Sequence, residues 1–288
     1  MPGTLFVVAT PIGNLEDLSF RALRTLREVD VIAAEDTRRT SRLLAHYEIR
    51  KPMVSLHEHN EHREAPRLAA RLERGESIAL VTDAGTPGIS DPGAHLVQLA
   101  RERRAPVSPI PGPSAVMAAL SVSGFPVDRF AFFGFPPRSG SLRREWFASA
   151  KAESSVVVLF EAPHRILQTL TELATLFGER PIHVYRELTK LNEELVIYTN
   201  NEADSKVKEL GEFVVVIGPA ASSDESHPDP GSLSMAVSMF GCMTTSGTFD
   251  DGTALTLTAK AFDLDEQVVR KAVKKHKIAE NQRRQSLP

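Results

Sequence analysis

The stretch Ser77-Ile78-Ala79-Leu80-Val81-Thr82 runs straight into Asp83-Ala84-Gly85-Thr86-Pro87-Gly88-Ile89-Ser90-Asp91-Pro92-Gly93. The first six residues are short, mostly apolar and rich in β-branched side chains, which predicts a buried strand. Five of the next eleven are Gly or Pro and two are Asp. Glycine lets a backbone come close to a ligand, and proline stiffens the approach. From His95 to Arg104 the apolar residues Leu96, Val97, Leu99 and Ala100 fall at helical spacing. A strand, an acid-bearing Gly-rich loop and a helix, in that order, form the unit at whose strand end open α/β sheets place ligands.

The same alternation extends on both sides of this unit. Leu5–Ala9 reads as a strand, Leu18–Val29 as an amphipathic helix, Val31–Ala34 as a strand and Thr37–His46 as a helix. A helical pattern opens at Asn60 and stops at Gly75, a plausible pair of caps. Pro106–Ile110 is a short extended run, and Gly112-Pro113-Ser114 opens a helix that continues to Val122. This βα order predicts a mostly parallel sheet with helices on both faces. Near Ser123–Pro126 the character changes. Strands at 155–160, 182–185, 195–198 and 213–217, with a helix at 165–177, predict a second α/β domain containing some antiparallel strands. Ala221–Ser232, rich in Ser, Asp, Pro and Gly, reads as a linker. Beyond it, 233–240, 253–262 and 265–276 read as three short helices, the last two compatible with a helix-turn-helix. The stretch Gly241–Gly247 reads as irregular. The expected division is an α/β domain at 1–120, a second at 121–220, a linker at 221–232 and a small helical domain at 233–288.

Composition narrows the options. A chain of 288 residues with 42% apolar and 25% charged side chains is that of an ordinary globular protein. A single cysteine, Cys242, rules out an internal disulfide and a cysteine-based zinc site, and is consistent with a cytoplasmic protein. No signal peptide or membrane-spanning run is read. The net charge of −3 requires any nucleic acid partner to be met by local basic patches. There is no G-x-G-x-x-G after a strand, no G-x4-G-K-[ST] and no G-x-S-x-G, which argues against an ordinary Rossmann dinucleotide or methyltransferase loop, a P-loop ATPase and an α/β hydrolase.

Several strand ends carry reactive groups. The first runs into Thr10-Pro11-Ile12-Gly13-Asn14-Leu15-Glu16-Asp17, either a ligand loop or a tight turn with Asp17 capping the next helix. The second ends in Glu35-Asp36-Thr37-Arg38-Arg39, an Arg pair suited to phosphate or a solvated helix start. His57, His59 and His62 sit within six residues; no matched ligand set accompanies them, so no metal is expected, and imidazoles also stack on bases or move protons. Pro111-Gly112-Pro113-Ser114-Ala115 leaves backbone N–H groups at a helix start. Glu161-Ala162-Pro163-His164-Arg165 and Arg186-Glu187-Leu188-Thr189-Lys190 end strands of the second domain.

Taken in order, Thr10-Pro11-Ile12-Gly13-Asn14-Leu15-x-Asp17, Ala34–Arg38, Ser55-x-His57-x-His59-Asn60, Asp83–Gly93, Pro111–Ala115, Phe160–Arg165 and Arg186–Lys190 resemble the tetrapyrrole methylase superfamily. Within it they resemble the branch that methylates RNA of the small ribosomal subunit, over about residues 4 to 219. Porphyrin-methylating relatives carry a more Gly-rich first loop than Thr10–Asp17. Phe160 and Ala162 stand where the family more often has Tyr and Ser, so neither is given a polar role. The C-terminal region matches the family poorly.

The resemblance implies two α/β domains with a cleft between them that holds S-adenosylmethionine. It also implies methylation of the ribose 2′-oxygen of a cytidine in the decoding region of 16S rRNA, by a cytoplasmic homodimer. By the same resemblance, Ile12, Asp83, Gly85, Thr86, Gly88, Ile89, Ser114, Ala115 and Leu188 are expected to line the cofactor. Candidates for removing the hydroxyl proton are Glu35, His59, Glu187 and Lys190, the histidine and lysine only if neutral. Arg38, Arg165 and Arg186 are expected on RNA phosphates, aided by the basic run Arg270–Arg284. Two other readings remain open: a superfamily methylase for a small tetrapyrrole, and a non-enzymatic regulator that binds nucleic acid through its C-terminal helices.

Overall fold

The computed structural model of the chain describes residues 1–198, 207–220, 230–245, 247, 249–262 and 264–285, with side chains for all of these except 230 and 279–285. The chain clusters into two compact units, Met1–Ala220 and Ala221–Pro288.

The first unit contains two five-stranded sheets. The first sheet uses β1 (Leu5–Val8), β2 (Val31–Ala34), β3 (Met53–Ser55), β4 (Ile78–Val81) and β5 (Val107–Ile110) in the order β3-β2-β4-β1-β5. Every pairing in it is parallel. Side chains alternate between two cores, as a period of two demands. Leu5, Val31, Ala33, Ile78 and Leu80 face α3 (Glu61–Glu73) and α4 (Ala94–Glu102). Val8, Ile32, Ala34, Ala79 and Val81 face α1 (Phe20–Glu28) and α2 (Thr37–His46). A parallel sheet covered on both faces explains why β2 and β4 are buried throughout.

Local chemistry sets the helix ends. Ser19, not Asp17, caps α1 by accepting from the Ala22 N–H at 3.1 Å. Asp17 instead closes a short 3₁₀ turn, Leu15–Asp17, capped by Asn14. Asn60 precedes α3 but its side chain braces the loop before it, accepting from His57 N–H at 2.8 Å and donating to Ser55 O at 3.1 Å. The Glu61 carboxylate caps α4 from outside, accepting from the N–H groups of Gly93 (2.9 Å) and His95 (3.1 Å).

The second sheet uses β6 (Phe130–Phe132), β7 (Val156–Glu161), β8 (Ile182–Arg186), β9 (Glu194–Tyr198) and β10 (Phe213–Ile217) in the order β6-β7-β10-β8-β9. Only β6 and β7 are parallel; the other pairings are antiparallel. One face packs on α6 (Gly140–Ala152) and α7 (Ile166–Phe177). The other packs on α5 (Ala115–Ser121), whose Val116, Ala119 and Leu120 contact the Val156, Val158, Val214 and Val216 side. Thus α5 leaves the last strand of the first sheet and covers the second. The sequence reading contained neither β6 nor α6.

The second unit has α8 (Pro230–Thr245), α9 (Asp251–Ala261) and α10 (Glu266–Gln285) around Phe240, Ala254, Leu255, Ala259, Val269 and Val273. Residues 221–229 of the expected linker lie outside the described residues, and 230–232 already belong to α8. Gly241–Thr245, read as irregular, is helical, because buried Phe240 and partly buried Met243 hold this turn on the small core.

Candidate functional site

In the first sheet, β1 and β4 lie side by side, yet their chains leave toward opposite faces, to α1 and α4. This is a topological switch point, the place where parallel sheets open a crevice. The loops leaving the two strands are tied together there. Thr10 and Gly85 exchange backbone hydrogen bonds at 2.9 and 3.0 Å, and Thr10 Oγ1 donates to Thr82 O at 3.0 Å. Gly85 has φ +86°, which favours glycine.

A cleft of about 820 Å³ opens at these loops and is closed on its other side by the second sheet. Its lining brings together Ile12, Asp83, Gly85, Thr86, Ile89, Ser114, Ala115 and Leu188 of the expected cofactor residues. Gly88 belongs to the same loop but is exposed and lies outside the lining.

The acidic wall is Glu35, Asp83 and Asp91. Glu35 Oε2 accepts from Thr82 Oγ1 at 2.6 Å and from Asp83 N–H at 3.2 Å. Asp83 accepts from Asp36 N–H at 3.1 Å and pairs with Arg39 at 3.4 Å. Burial and the Glu35 charge raise the Asp83 pKa. Burial, then the charge of Glu35, push Asp91 up to about 6, partly offset by its hydrogen bond with Thr82. The opposite wall is aromatic: Phe130, Phe132, Phe135 and Phe160. Phe160 lies 4.9 Å from Phe132 and 5.5 Å from Phe135 between ring centroids.

Of the four candidate proton acceptors only Glu35 lines the cleft. His59 is exposed beyond β3, the edge strand on the far side of β2. Glu187 and Lys190 flank Leu188 but face each other at 2.7 Å, and Lys190 also reaches Glu212 at 3.0 Å. Burial lowers the Lys190 pKa, yet its bonds to Glu187 and Glu212 outweigh that and raise it overall. A lysine held protonated in this way accepts no proton. Burial raises the Glu187 pKa, but Lys190 and the Glu212 N–H outweigh it and hold Glu187 low.

The expected RNA arginines divide. Arg38 is exposed and paired with Asp36 at 2.7 Å. Its neighbour Arg39, one helical step on, is the one that lines the cleft. Arg165 and Arg186 are not free for phosphate. Arg165 binds the buried Glu161 carboxylate and has a side chain only 16% exposed. Arg186, 11% exposed, pairs with Glu194 at 2.9 Å, its opposite residue in the antiparallel register. These pairs satisfy charges that would otherwise be costly to bury.

The two sides of the cleft interlock. A Cβ on Gly13 would lie 2.4 Å from Lys190 Cγ and 2.9 Å from Leu188 O. Asn14 N–H donates to Thr189 Oγ1 at 3.1 Å. Glu187 and Thr189 both adopt positive φ, +56° and +67°, so the loop bearing Leu188 is held in a strained shape by its surroundings. The sequence reading has Arg39 as half of a phosphate-suited Arg pair and Glu161 in a charged strand end, but gives no individual role to Asp91, Glu212 or the phenylalanines. Asp91 lay inside the quoted loop, and the alternation Phe130-x-Phe132 was the available signal for the aromatic wall.

Among the described residues, no three His, Cys, Asp or Glu converge to hold a metal. No helix among them is long and apolar enough to cross a membrane.

Comparison with known proteins fits this geometry. Residues 4–204 match the family model of tetrapyrrole (corrin/porphyrin) methylases. The ribosomal RNA small subunit methyltransferase I of Xylella fastidiosa is 50% identical over 229 residues, 77% of this chain and 84% of that protein. The protein of the same name from Thermotoga maritima is 47% identical over 218 residues, 75% of this chain and 98% of its own length. Among solved structures, diphthine synthase superposes with a TM-score of 0.58 at 16% identity, covering 75% of this chain and 90% of that one. The uroporphyrin-III-C-methyltransferase of Thermus thermophilus gives 0.54 at 20% identity, covering 75% and 94%. Those two likenesses speak to the fold; with the family match and the relatives of near 50% identity, they establish that the chain belongs to the tetrapyrrole methylases, in the branch of the small-subunit ribosomal RNA methyltransferases.

Proposed function

We propose that this protein transfers a methyl group from S-adenosylmethionine to the ribose 2′-oxygen of a cytidine in the decoding region of 16S rRNA. The observation that carries the reading is the cleft at the β1/β4 switch point, whose lining holds eight of the nine expected cofactor residues. Its volume falls in the range of coenzyme pockets, roughly 300–1,000 Å³. Its chemistry also suits the group. Glu35, Asp83 and Asp91 offer carboxylates to a cationic ligand bearing amino and hydroxyl groups. Ile12, Leu188 and the phenylalanines offer apolar surface to its rings. Gly85 lets backbone approach it closely. When bound, S-adenosylmethionine supplies an electrophilic methyl group.

The chain's own work is then to align a hydroxyl and take its proton, the second typically worth about 10²–10⁴-fold in rate. We assign the proton's removal to Glu35 or Asp91, both of which line the cleft. A pKa of about 6 leaves Asp91 ionised at neutral pH while making it more basic than an ordinary aspartate. Arg39, at the rim, suits a phosphate of the incoming strand. The homodimer and the cytoplasmic location belong to the same proposal, supported by the family resemblance.

Two experiments test it. Tritiated cofactor is offered with unmethylated 30S particles and, separately, with a porphyrin. Label on the particles, mapped to one ribose by mass spectrometry, is expected; label on the porphyrin alone overturns the RNA reading. Calorimetry with Asp83→Ala and Gly85→Trp is expected to show cofactor affinity reduced by about 10-fold or more, on the scale of a lost charged hydrogen bond. Unchanged affinity in both would remove the cleft from the cofactor site.

A further inference from the structure

A second concavity lies on the far face of the second sheet, between α6 and α7, with a volume of about 680 Å³. One rim carries Arg138, Arg144 and Lys151, all exposed. Arg144 and Lys151 are two helical turns apart, about 10 Å along the axis, so they form a row and not a point. The other rim carries Gln168, Thr171 and Thr175. Both threonine hydroxyls donate back into their own helix, to Leu167 O and Thr171 O at 2.9 Å each, which leaves their lone pairs facing outward as acceptors. The floor is apolar, from Phe147 and Leu176.

The groove's carboxylate, Glu172, is already neutralised. Buried Arg143 donates to it at 3.0 Å, to Pro137 O at 2.8 Å and to Thr169 Oγ1 at 2.9 Å. Thr169 in turn donates at 2.6 Å to Glu161, which lines the cofactor cleft. The groove is therefore built on the same buried polar frame as the cleft wall. It presents net positive charge along one edge, acceptors along the other and an apolar strip between.

We propose that the α6–α7 groove binds an RNA strand of the substrate at a distance from the reacting ribose. The cations would meet phosphates, the acceptors would meet ribose 2′-hydroxyls, and the strip would meet sugar or base faces. This rests on the rRNA reading above, and concerns where the substrate is gripped.

The test uses the full chain. Arg138→Gln/Arg144→Gln/Lys151→Gln is compared with wild type for binding to in vitro transcribed small-subunit rRNA between 50 and 200 mM salt. The expected result is at least about 10-fold weaker binding at low salt and a log–log salt slope shallower by about two, the value for three lost phosphate contacts on single-stranded RNA. KM for 30S particles should rise, with kcat and cofactor affinity unchanged. An unchanged slope and KM would overturn the proposal. So would weakened binding to assembled particles with unaltered binding to naked rRNA, which would assign the groove to a protein. Ala148→Trp fills the groove without changing charge; by keeping the strand out it should raise KM and flatten the slope as the triple variant does. An unchanged KM there would attribute the cations' effect to the general field and overturn the groove. Failure of the wild type to bind S-adenosylmethionine would overturn the methyl-transfer reading instead, and leaves the RNA measurement interpretable.

Discussion

The two sheets of the first unit treat charge in opposite ways. At the C-terminal edge of the parallel sheet, the carboxylates Glu35, Asp83 and Asp91 line the cleft together, with Arg39 at 3.4 Å from Asp83. At the strand ends of the second sheet the charges are matched: Glu161 with Arg165, Arg186 with Glu194, Lys190 with Glu187 and Glu212. At the opposite edge of that sheet Arg180 clamps three carbonyls, of Gly218, Glu153 and Ser155, at 2.7 Å each. Matched charges hold a frame. Unmatched ones store a demand that a cationic ligand or an abstracted proton satisfies. On the proposed function, the first half of the cleft would do the chemistry and the second would position.

That contrast can be broken where it is strongest. Glu161→Ala leaves Arg165 buried without its partner and removes the acceptor of Thr169. Loss of one member of a buried pair costs about 3–5 kcal/mol, so denaturant midpoints should fall sharply. The same truncation of Asp83, on the unmatched side, should leave them nearly in place. Gly13→Val attacks the join between the halves, where a Cβ would meet Lys190 and Leu188 O. A destabilisation of about 1–3 kcal/mol is expected from overpacking, with cofactor affinity reduced as Leu188 is displaced.

A subtler effect is expected of Asp91→Asn. The folded-state pKa of Asp91, about 6, lies above its ordinary value of 3.8. Its contribution to stability is full below about pH 4 and is lost as pH rises through 6. The variant should therefore gain stability relative to wild type at pH 8, and the gain should vanish at pH 4, as read from thermal midpoints. If Asp91 is the proton acceptor, the wild-type rate falls as pH drops through 6, and the variant loses rate together with that dependence. The smallest effect concerns the second unit. The exposed cations Arg270, Lys274 and Lys275 stand on α10, and the Thermotoga relative is matched over 98% of its length by 75% of this chain. Ending the chain at Ala220 should weaken rRNA binding a few-fold and flatten its salt dependence, with cofactor affinity intact.

The same contrast explains what the sequence made legible. The bounds of α2 and β10 follow from periodicity, and the loop at Asp83–Gly93 announces itself through its glycines and acids. α6 escapes because its buried stripe contains Arg143 beside Phe147 and Ala150, so the apolar period is interrupted. β6 is three residues long, too short to show alternation. Arg165 and Arg186 look like phosphate ligands in one dimension. Their partners, Glu161 four residues back and Glu194 across a strand pair, become visible only when the register is known. A charge's type is written in the sequence, whereas whether it is already answered depends on the fold.

The backbone bridge between Thr10 and Gly85 gives this protein a built-in spectroscopic gauge. Each of the two amides donates to the other residue's carbonyl, at 2.9 and 3.0 Å, and Gly85 itself lines the cleft with the acidic residues. Their hydrogen exchange reports whether the β1 and β4 loops are joined, separately from global unfolding. Slower exchange at these two positions on cofactor addition, with the β9 amides unmoved, would mark the loops as parts fastened by their cargo and the second sheet as standing ready without it.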